Sequence, residues 1–301
     1  MKPLTIFMAM LSLLVLGCTD KQDLPPDFLR NCNLELTDGF CLVSGDQVVL
    51  NHRDIDYYDY AAHLVYLKDG IFFTEENLDP GEYSVYAGGD SIYSLTAMNA
   101  YDSYMPIGPL IWRQSFYNDY VMFIDFPGMP NPEHPEDPRE DPRIEEALQK
   151  YDQFQAGLTC EIMVVTSPEP GQVLLELELK NEDDLDYCYL DPDKMGMGLF
   201  HYFTNGLFLS DASRETYTHR IEVCQPEPWD SWDPEWLSVI ESGEKVHLSI
   251  EYPEFEAFPP GNYTAWFRFP GLHRVEKEDL QQAGGRIWLG NLGLVKSLTF
   301  D

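Results

Sequence analysis

Basic residues are scarce in this chain, and their scarcity limits the partners it can have. The sequence has 19 lysines and arginines against 52 aspartates and glutamates, a formal net charge of −33. Such a surface repels the phosphate backbone of nucleic acids and the headgroups of anionic lipids. We therefore expect no nucleic-acid partner. We interpret the charge as a source of solubility, with binding of divalent cations as the alternative.

Short catalytic motifs are also missing. The sequence contains no G-x-S-x-G turn, no H-E-x-x-H helix, no phosphate-binding glycine loop and no EF-hand loop. Its seven histidines are scattered, without a pair at the spacing typical of metal ligands. We therefore predict no catalytic residue and no cofactor other than calcium. An enzyme on a scaffold without short motifs is the alternative.

The amino terminus has the only long apolar segment of the sequence. It runs from Leu4 to Leu16 behind the positive charge of Lys2. As a helix, about 13 residues span about 20 Å, less than the roughly 30 Å hydrocarbon core of a bilayer. We therefore predict a secretion signal over residues 1–17 and not a permanent transmembrane helix.

A cysteine follows this segment directly. The residues Val15-Leu16-Gly17-Cys18 resemble the lipobox of bacterial lipoproteins. The resemblance implies cleavage before Cys18 and acyl chains on its thiol, which would anchor the protein to a membrane. Thr19 after it implies the outer membrane as the destination, and residues 18–27 have the composition of a short tether. An ordinary signal peptide that ends near a cysteine is the alternative.

Cysteine use fits an oxidising compartment. Five cysteines remain besides Cys18, so at least one thiol is unpaired if all pairing is internal. Cys32 and Cys41 flank a short turn and are predicted to form one disulfide. Cys188 and Cys224 are the second predicted pair. A zinc site is the alternative, which the absence of C-x-x-C spacing disfavours.

A proline-rich acidic stretch divides the mature chain. Residues 127–142 contain six prolines, which exclude a helix or an interior strand. Asp141 and Pro142 then suit an N-cap and a first helical turn, and the residues behind them predict an amphipathic helix over about 143–154. We predict an amino-terminal β domain over residues 28–126, a linker with a short helix over 127–155, and a carboxyl-terminal β domain over 156–301.

Strand signals dominate both domains. Eighteen tyrosines and seventeen phenylalanines favour half-buried strands. Gly88-Gly89 predicts a two-residue hairpin turn, and leucines that alternate with charged residues over Gln172–Lys180 predict a strand with one buried face. The predicted strands are His63–Leu67, Glu82–Ala87, Asp90–Thr96, Tyr120–Phe126, Leu158–Val165, Val173–Leu179, Leu199–Phe203, Thr218–Val223, Lys245–Tyr252, Tyr263–Phe269 and Ile287–Leu289. The chain is therefore predicted to be mostly β, with two antiparallel sandwich-like domains.

Turn residues of the second domain carry a further resemblance. A strand ends at Asn181, Gly243-Glu244 precedes another strand, and Pro260-Gly261-Asn262-Tyr263 leads into a late core strand. This order resembles bacterial immunoglobulin-like sandwiches related to intracellular proteinase-inhibitor domains. The resemblance implies an immunoglobulin-like fold for the second domain and does not imply protease inhibition.

One loop of the second domain is a candidate glycan-binding site. Trp229, Trp232 and Trp236 lie within eight residues, with Asp230 and Asp233 between them. Tryptophan rings stack on sugar rings, and neighbouring carboxylates accept hydrogen bonds from sugar hydroxyls. The alternative is that these rings cover an edge of the sandwich.

An acidic loop is a candidate calcium site. Calcium takes six to eight oxygen ligands without strict geometry, and this loop concentrates carboxylates. The candidate ligands are Asp183, Asp184, Asp186, Asp191 and Asp193. The alternative is a solvated loop between strands.

Taken as a whole, the sequence predicts a lipid-anchored, noncatalytic protein of the bacterial cell envelope that acts as a binding or structural module. Its expected partners are the membrane, through the acyl chains, and an envelope protein or a glycan. Recognition of a glycan or of calcium by the second domain is the alternative function. The rival from a different class is an enzyme on an unrecognised scaffold.

Overall fold

The computed structural model describes residues 37–104, 106–127 and 137–301. Cys18, Cys32 and the predicted signal and tether therefore lie outside the described residues. Strands make up 43% of the structure and helices 12%, in several separate sheets, which confirms the predicted mostly β fold. Within the described residues, no helix is both long enough and apolar enough to cross a bilayer.

The amino-terminal half is built on one large mixed sheet. Its strands are β1 (Cys41–Ser44), β2 (Gln47–Leu50), β3 (Ile55–Asp59), β4 (Leu64–Leu67), β5 (Gly81–Ala87), β6 (Asp90–Met98), β7 (Leu110–Trp112), β8 (Val121–Asp125) and β9 (Phe154–Gln155). They are ordered β2-β1-β5-β6-β7-β8-β4-β3-β9. The pairs β6–β7 and β3–β9 run parallel, and the other neighbours run antiparallel.

The predicted Gly-Gly hairpin is confirmed. Ala87 pairs with Asp90 across Gly88 and Gly89, whose φ angles are 61° and 89°. Positive φ at both central residues gives a turn whose twist matches that of the two strands, and glycine adopts this conformation without steric cost.

A helix packs against this sheet in the region predicted as a linker. Helix α1 (Pro142–Lys150) begins behind Asp141, whose carboxylate accepts a hydrogen bond from the Arg143 amide at 3.0 Å, as the sequence predicts. It ends before the predicted boundary, because the chain turns and Phe154–Gln155 pairs with β3. Its apolar face joins the hydrophobic core of the amino-terminal half through Ile144, Ala147 and Leu148. This helix therefore belongs to that core.

The carboxyl-terminal half contains three smaller sheets and two short helices. Its strands are β10 (Leu158–Thr166), β11 (Val173–Asn181), β12 (Tyr187–Leu190), β13 (Phe208–Asp211), β14 (Thr216–Thr218), β15 (Leu237–Ile240), β16 (Lys245–Tyr252), β17 (Gly261–Phe269), β18 (Gln281–Gln282), β19 (Gly285–Ile287) and β20 (Leu292–Phe300). The sheets are ordered β10-β11-β16, β15-β12-β19-β18 and β14-β13-β17-β20. The helices are α2 (Pro192–Met195) and α3 (Met197–Thr204).

The strand with alternating leucines supplies part of the carboxyl-terminal core. Val173, Leu175, Leu177 and Leu179 on β11 are fully buried, as the alternation predicts. They share one hydrophobic cluster with residues of β17, including Phe267. Two sheets therefore enclose this core, in a sandwich-type arrangement.

Three predicted strands are wrong in part or in full. Of Ile287–Leu289, only Ile287 lies in a strand, at the end of β19. Leu199–Phe203 lies inside helix α3, where Phe200, His201 and Thr204 are buried at a helical spacing. A short run of mostly apolar residues does not by itself separate a strand from a helix. The strand predicted over Thr218–Val223 ends at Thr218, after which His219 makes only an isolated bridge with Phe255.

The two halves share a buried polar contact. Trp288 donates from Nε1 to Asp59 Oδ2 at 2.9 Å, and the Ala62 amide donates to Asp59 Oδ1 at 3.1 Å. Arg286 lies over the ring of Tyr57, with its guanidinium carbon 4.2 Å from the ring centroid. Burial raises the pKa of Asp59 to about 7. Among the described residues, no ion pair to the Asp59 carboxyl group is found, and this group lies at the junction of the halves.

The predicted disulfide between Cys188 and Cys224 is wrong, because both residues carry free thiols. Cys188 is buried in β12, between Val239 of β15 and Ile287 of β19. Cys224 lies beyond β14 and contacts Gly198 of helix α3. The two cysteines are therefore held by different elements. Cys41 begins β1, and its predicted partner Cys32 lies outside the described residues.

Candidate functional site

A cleft of about 540 Å³ lies where three loops meet. One loop joins β7 to β8, the second joins β14 to β15, and the third follows β17. The residues that line the cleft are Asn118, Trp229, Asp230, Ser231, Trp232, Arg274 and Glu276. The amino-terminal half supplies one of them, so the cleft lies between the two halves of the chain.

The tryptophan loop forms one wall of the cleft. Trp229 is 59% exposed, and its carbonyl accepts a hydrogen bond from the Tyr202 hydroxyl of helix α3 at 3.1 Å. The Ser231 amide donates to the Pro228 carbonyl at 2.9 Å and closes a turn. Trp232 is half-buried and packs against the hydrophobic core. One ring therefore faces solvent, while the other packs against the core.

The third predicted tryptophan does not line this cleft. Trp236 ends a 3₁₀ turn over Pro234–Trp236, in which Asp233 accepts a hydrogen bond from the Glu235 amide at 2.9 Å. Its ring packs against Phe203, with centroids 6.2 Å apart. Trp236 thus has the role of an aromatic cover, which was the alternative interpretation for all three rings.

The opposite wall is anchored to the amino-terminal half. The carbonyl of buried Val275 accepts hydrogen bonds from Asn118 Nδ2 at 3.0 Å and from the Tyr120 hydroxyl at 2.7 Å. Arg274, the preceding residue, donates from its guanidinium to the carbonyls of Tyr117 and Ser115 at 3.5 and 3.4 Å. These contacts hold the loop at Arg274 and Val275, so this part of the wall does not depend on a ligand.

Charge in the cleft is mixed. The exposed carboxylates of Asp230 and Glu276 face the same space as the Arg274 guanidinium. Beside them, burial lowers the pKa of His273 to about 4, and the charges of Arg274 and Arg268 lower it further. His273 is therefore neutral at physiological pH. Its ring packs edge-on against Tyr117, at a centroid distance of 5.2 Å.

This combination of groups suits a ligand with apolar faces and a rim of hydroxyls. Ligand sites in proteins are concave, contain aromatic surfaces and have a few fixed polar groups. Tryptophan rings offer flat apolar faces, while the carboxylates accept hydrogen bonds and the guanidinium donates them. The cleft therefore has the chemistry to bind a sugar chain.

The acidic loop has a different role in the structure. Asp183 accepts hydrogen bonds from the amides of Ala156 and Gly157 at 3.2 and 3.1 Å. It also accepts one from the Tyr187 hydroxyl at 2.7 Å. Asp191 caps helix α2 by accepting from the Asp193 amide at 2.9 Å. These carboxylates hold turns and loops in place.

The structure does not gather the five predicted calcium ligands. Asp186 accepts a hydrogen bond from the Ser242 amide at 2.9 Å, while Asp184 and Asp193 are exposed. In the described part of the chain, none of the five belongs to a group of three metal-ligating side chains with ligand atoms within 4.8 Å of one another. The geometry therefore gives no support to calcium binding at this loop.

Comparison with known proteins assigns no family. No protein-family model matches the chain, and no curated protein matches it.

Proposed function

We propose that the chain is a noncatalytic, lipid-anchored binding protein of the bacterial cell envelope, and that its cleft binds carbohydrate. The observation that carries the proposal is the position of Trp229 and Trp232, which share one cleft with polar side chains from two other loops. The anchor rests on the resemblance of Val15-Leu16-Gly17-Cys18 to a lipobox. Acyl chains would hold the protein at a membrane surface.

The fixed backbone of the cleft favours binding of a ligand without large rearrangement. Val275 is held by two hydrogen bonds from the amino-terminal half, and Trp232 rests on the core. Preformed sites lose less conformational entropy on binding than mobile loops do. The exposed ring of Trp229 would complete the site by stacking on a sugar ring.

Removal of the two rings tests the proposal. Titration of the wild-type protein with a panel of soluble polysaccharides should shift or quench tryptophan fluorescence for at least one of them. Affinity electrophoresis with that polysaccharide should then show binding weakened at least about tenfold in Trp229→Ala and in Trp232→Ala, since tryptophans that a ligand covers are frequent hot spots of binding.

Tyr101→Ala is the matched control, because Tyr101 is 77% exposed and lies on the loop between β6 and β7. This variant should migrate like the wild type in the same gels. No response to any polysaccharide, or equal weakening in all three variants, would contradict the proposal.

Hydrolysis of the bound sugar is the rival function, and one observation favours it. Asp230 and Glu276 line the same cleft, and glycoside hydrolysis uses a pair of carboxyl groups. A noncatalytic protein should release no reducing ends from the polysaccharide that it binds. Release that disappears in Asp230→Asn or Glu276→Gln would establish the hydrolase instead.

A further inference from the structure

A second cluster of side chains lies away from the cleft, on the amino-terminal sheet. His63, Asp137 and Glu140 each offer one ligand atom, and these atoms all lie within 4.8 Å of one another. Among the described residues, no other group of three histidine, cysteine, aspartate or glutamate side chains meets this distance. None of the three residues lines the cleft or belongs to the acidic loop.

The histidine is buried and oriented. His63 precedes β4 and is only 5% exposed. Its Nδ1 lies 3.1 Å from the Tyr58 hydroxyl. The described residues provide no hydrogen bond to its Nε2. Histidines that bind metals commonly use one ring nitrogen as the ligand and the other for a hydrogen bond that fixes the ring.

The two carboxylates come from one turn. Asp137 is the N-cap of a 3₁₀ turn over Pro138–Glu140. Side chains three residues apart lie on the same face of a 3₁₀ helix, so Glu140 lies beside Asp137. Arg139 donates to Asp137 Oδ1 and Oδ2 at 2.9 and 2.6 Å and to the Ile124 carbonyl at 2.6 Å. The arginine thus ties the Asp137 carboxylate to strand β8.

A polar group without a partner lies in the same neighbourhood. The Tyr93 hydroxyl is buried and has no hydrogen-bond partner among the described residues. Burial raises the pKa of Tyr93, and it lies close enough to Arg139 and Asp137 for their charges to act on it. Buried polar groups rarely lack a partner, and a bound water or ion commonly explains the exceptions. A water molecule bound to a metal ion would supply that partner.

We propose that His63, Asp137 and Glu140 bind a divalent transition-metal ion. Imidazole together with carboxylate suits zinc, manganese or iron, whereas calcium requires six to eight oxygen ligands. Three protein ligands leave at least one coordination position for water. The ion would link the start of β4 to the segment that leads into α1, and so clamp the helix to the sheet. The site is independent of carbohydrate binding by the cleft.

Titration calorimetry of the full chain tests this site. Each titration uses one salt, either zinc chloride, manganese chloride or calcium chloride. The buffer contains about 150 mM sodium chloride, which screens the diffuse attraction of metal ions to the acidic surface. The wild type should bind zinc or manganese saturably at one site per chain. Glu140→Gln should weaken that binding about tenfold or more, since even loss of an outer-shell partner costs about 10- to 100-fold.

Glu146→Gln is the matched control, because Glu146 is exposed on α1, outside the cluster, and loses the same charge. Its affinity should equal that of the wild type. His63→Asn is a second ligand variant, since asparagine tolerates the left-handed φ of 52° at this position. Circular dichroism verifies that it is folded. Absence of a saturable site, or equal affinity in Glu140→Gln and Glu146→Gln, would overturn the proposal.

Discussion

Trp288→Ala is expected to lower the free energy of unfolding by about 3–5 kcal/mol, the range for truncation of large buried rings. The Trp288 side chain is 1% exposed. It lies at the junction of the two halves, where its indole nitrogen donates to Asp59. Truncation would remove the ring and leave one oxygen of a buried carboxyl group without its donor.

The residues around Trp288 cannot easily move to fill the cavity that its truncation would leave. A Cβ placed on Gly290 would lie 2.2 Å from Trp288 Cζ2 and 2.7 Å from Ala62 Cβ, which shows how closely the backbone approaches the ring. The cost of a large-to-small substitution increases with the volume that remains empty. We therefore expect the loss to lie near the upper end of the range.

Trp229→Ala is the matched control for this effect. It deletes the same ring at a position that is 59% exposed, where substitutions usually change stability by less than about 0.5 kcal/mol. Urea denaturation followed by circular dichroism measures both variants against the wild type. Similar losses in the two variants would contradict the structural role of Trp288.

The second large effect is a pH dependence at the same junction. Burial raises the pKa of Asp59 to about 7, against hydrogen bonds from Ala62 and Trp288 that lower it. The charges of Asp183 and Arg286 act in opposite directions and are smaller causes. Because the folded protein holds this proton more tightly than the unfolded chain does, protonation of Asp59 stabilises the fold.

The sign of the dependence follows from this difference. The stabilisation is fully present below the pKa of the unfolded chain, near pH 4, and is lost as the pH rises through about 7. Its size is about 4 kcal/mol at most, at about 1.4 kcal/mol per unit of pKa difference. Above pH 8 the contribution of Asp59 should no longer change with pH.

Asp59→Asn isolates this group from the many other carboxylates of the chain. From pH 4 to pH 8, the unfolding free energy of the wild type should fall relative to that of Asp59→Asn. Urea denaturation measures both proteins across this range. A difference that is independent of pH would show that Asp59 titrates alike in the folded and unfolded chains.

Local sequence patterns predicted the regular parts of the fold. Gly88-Gly89 permits the positive φ angles of a two-residue hairpin turn, and the leucines of β11 fill one face of a strand, so each pattern favours the structure that is observed. Leu199–Phe203 is different, because a short apolar run is buried equally well as a strand or as a helix. Contacts of helix α3 with the surrounding sheets decide between the two.

Sequence patterns predict only those residues of the candidate site that lie close together in the sequence. Trp229 and Trp232 lie three residues apart and were recognised together. Asn118 and Arg274 are separated by most of the second half, and contacts between the halves, among them the hydrogen bonds around Val275, bring them together. The same limit applies to the cluster of His63 with Asp137 and Glu140, since no motif joins residues so far apart.

Indole resonances in a nitrogen–proton NMR spectrum test carbohydrate binding by the cleft most directly, because each of the six tryptophans of the chain gives one side-chain signal. On addition of the polysaccharide that alters fluorescence, the signals of Trp229 and Trp232 should shift or broaden. The signal of Trp288, which is buried at the junction, should stay in place. Unchanged signals from Trp229 and Trp232, with shifts confined to other tryptophans, would contradict a carbohydrate site in this cleft.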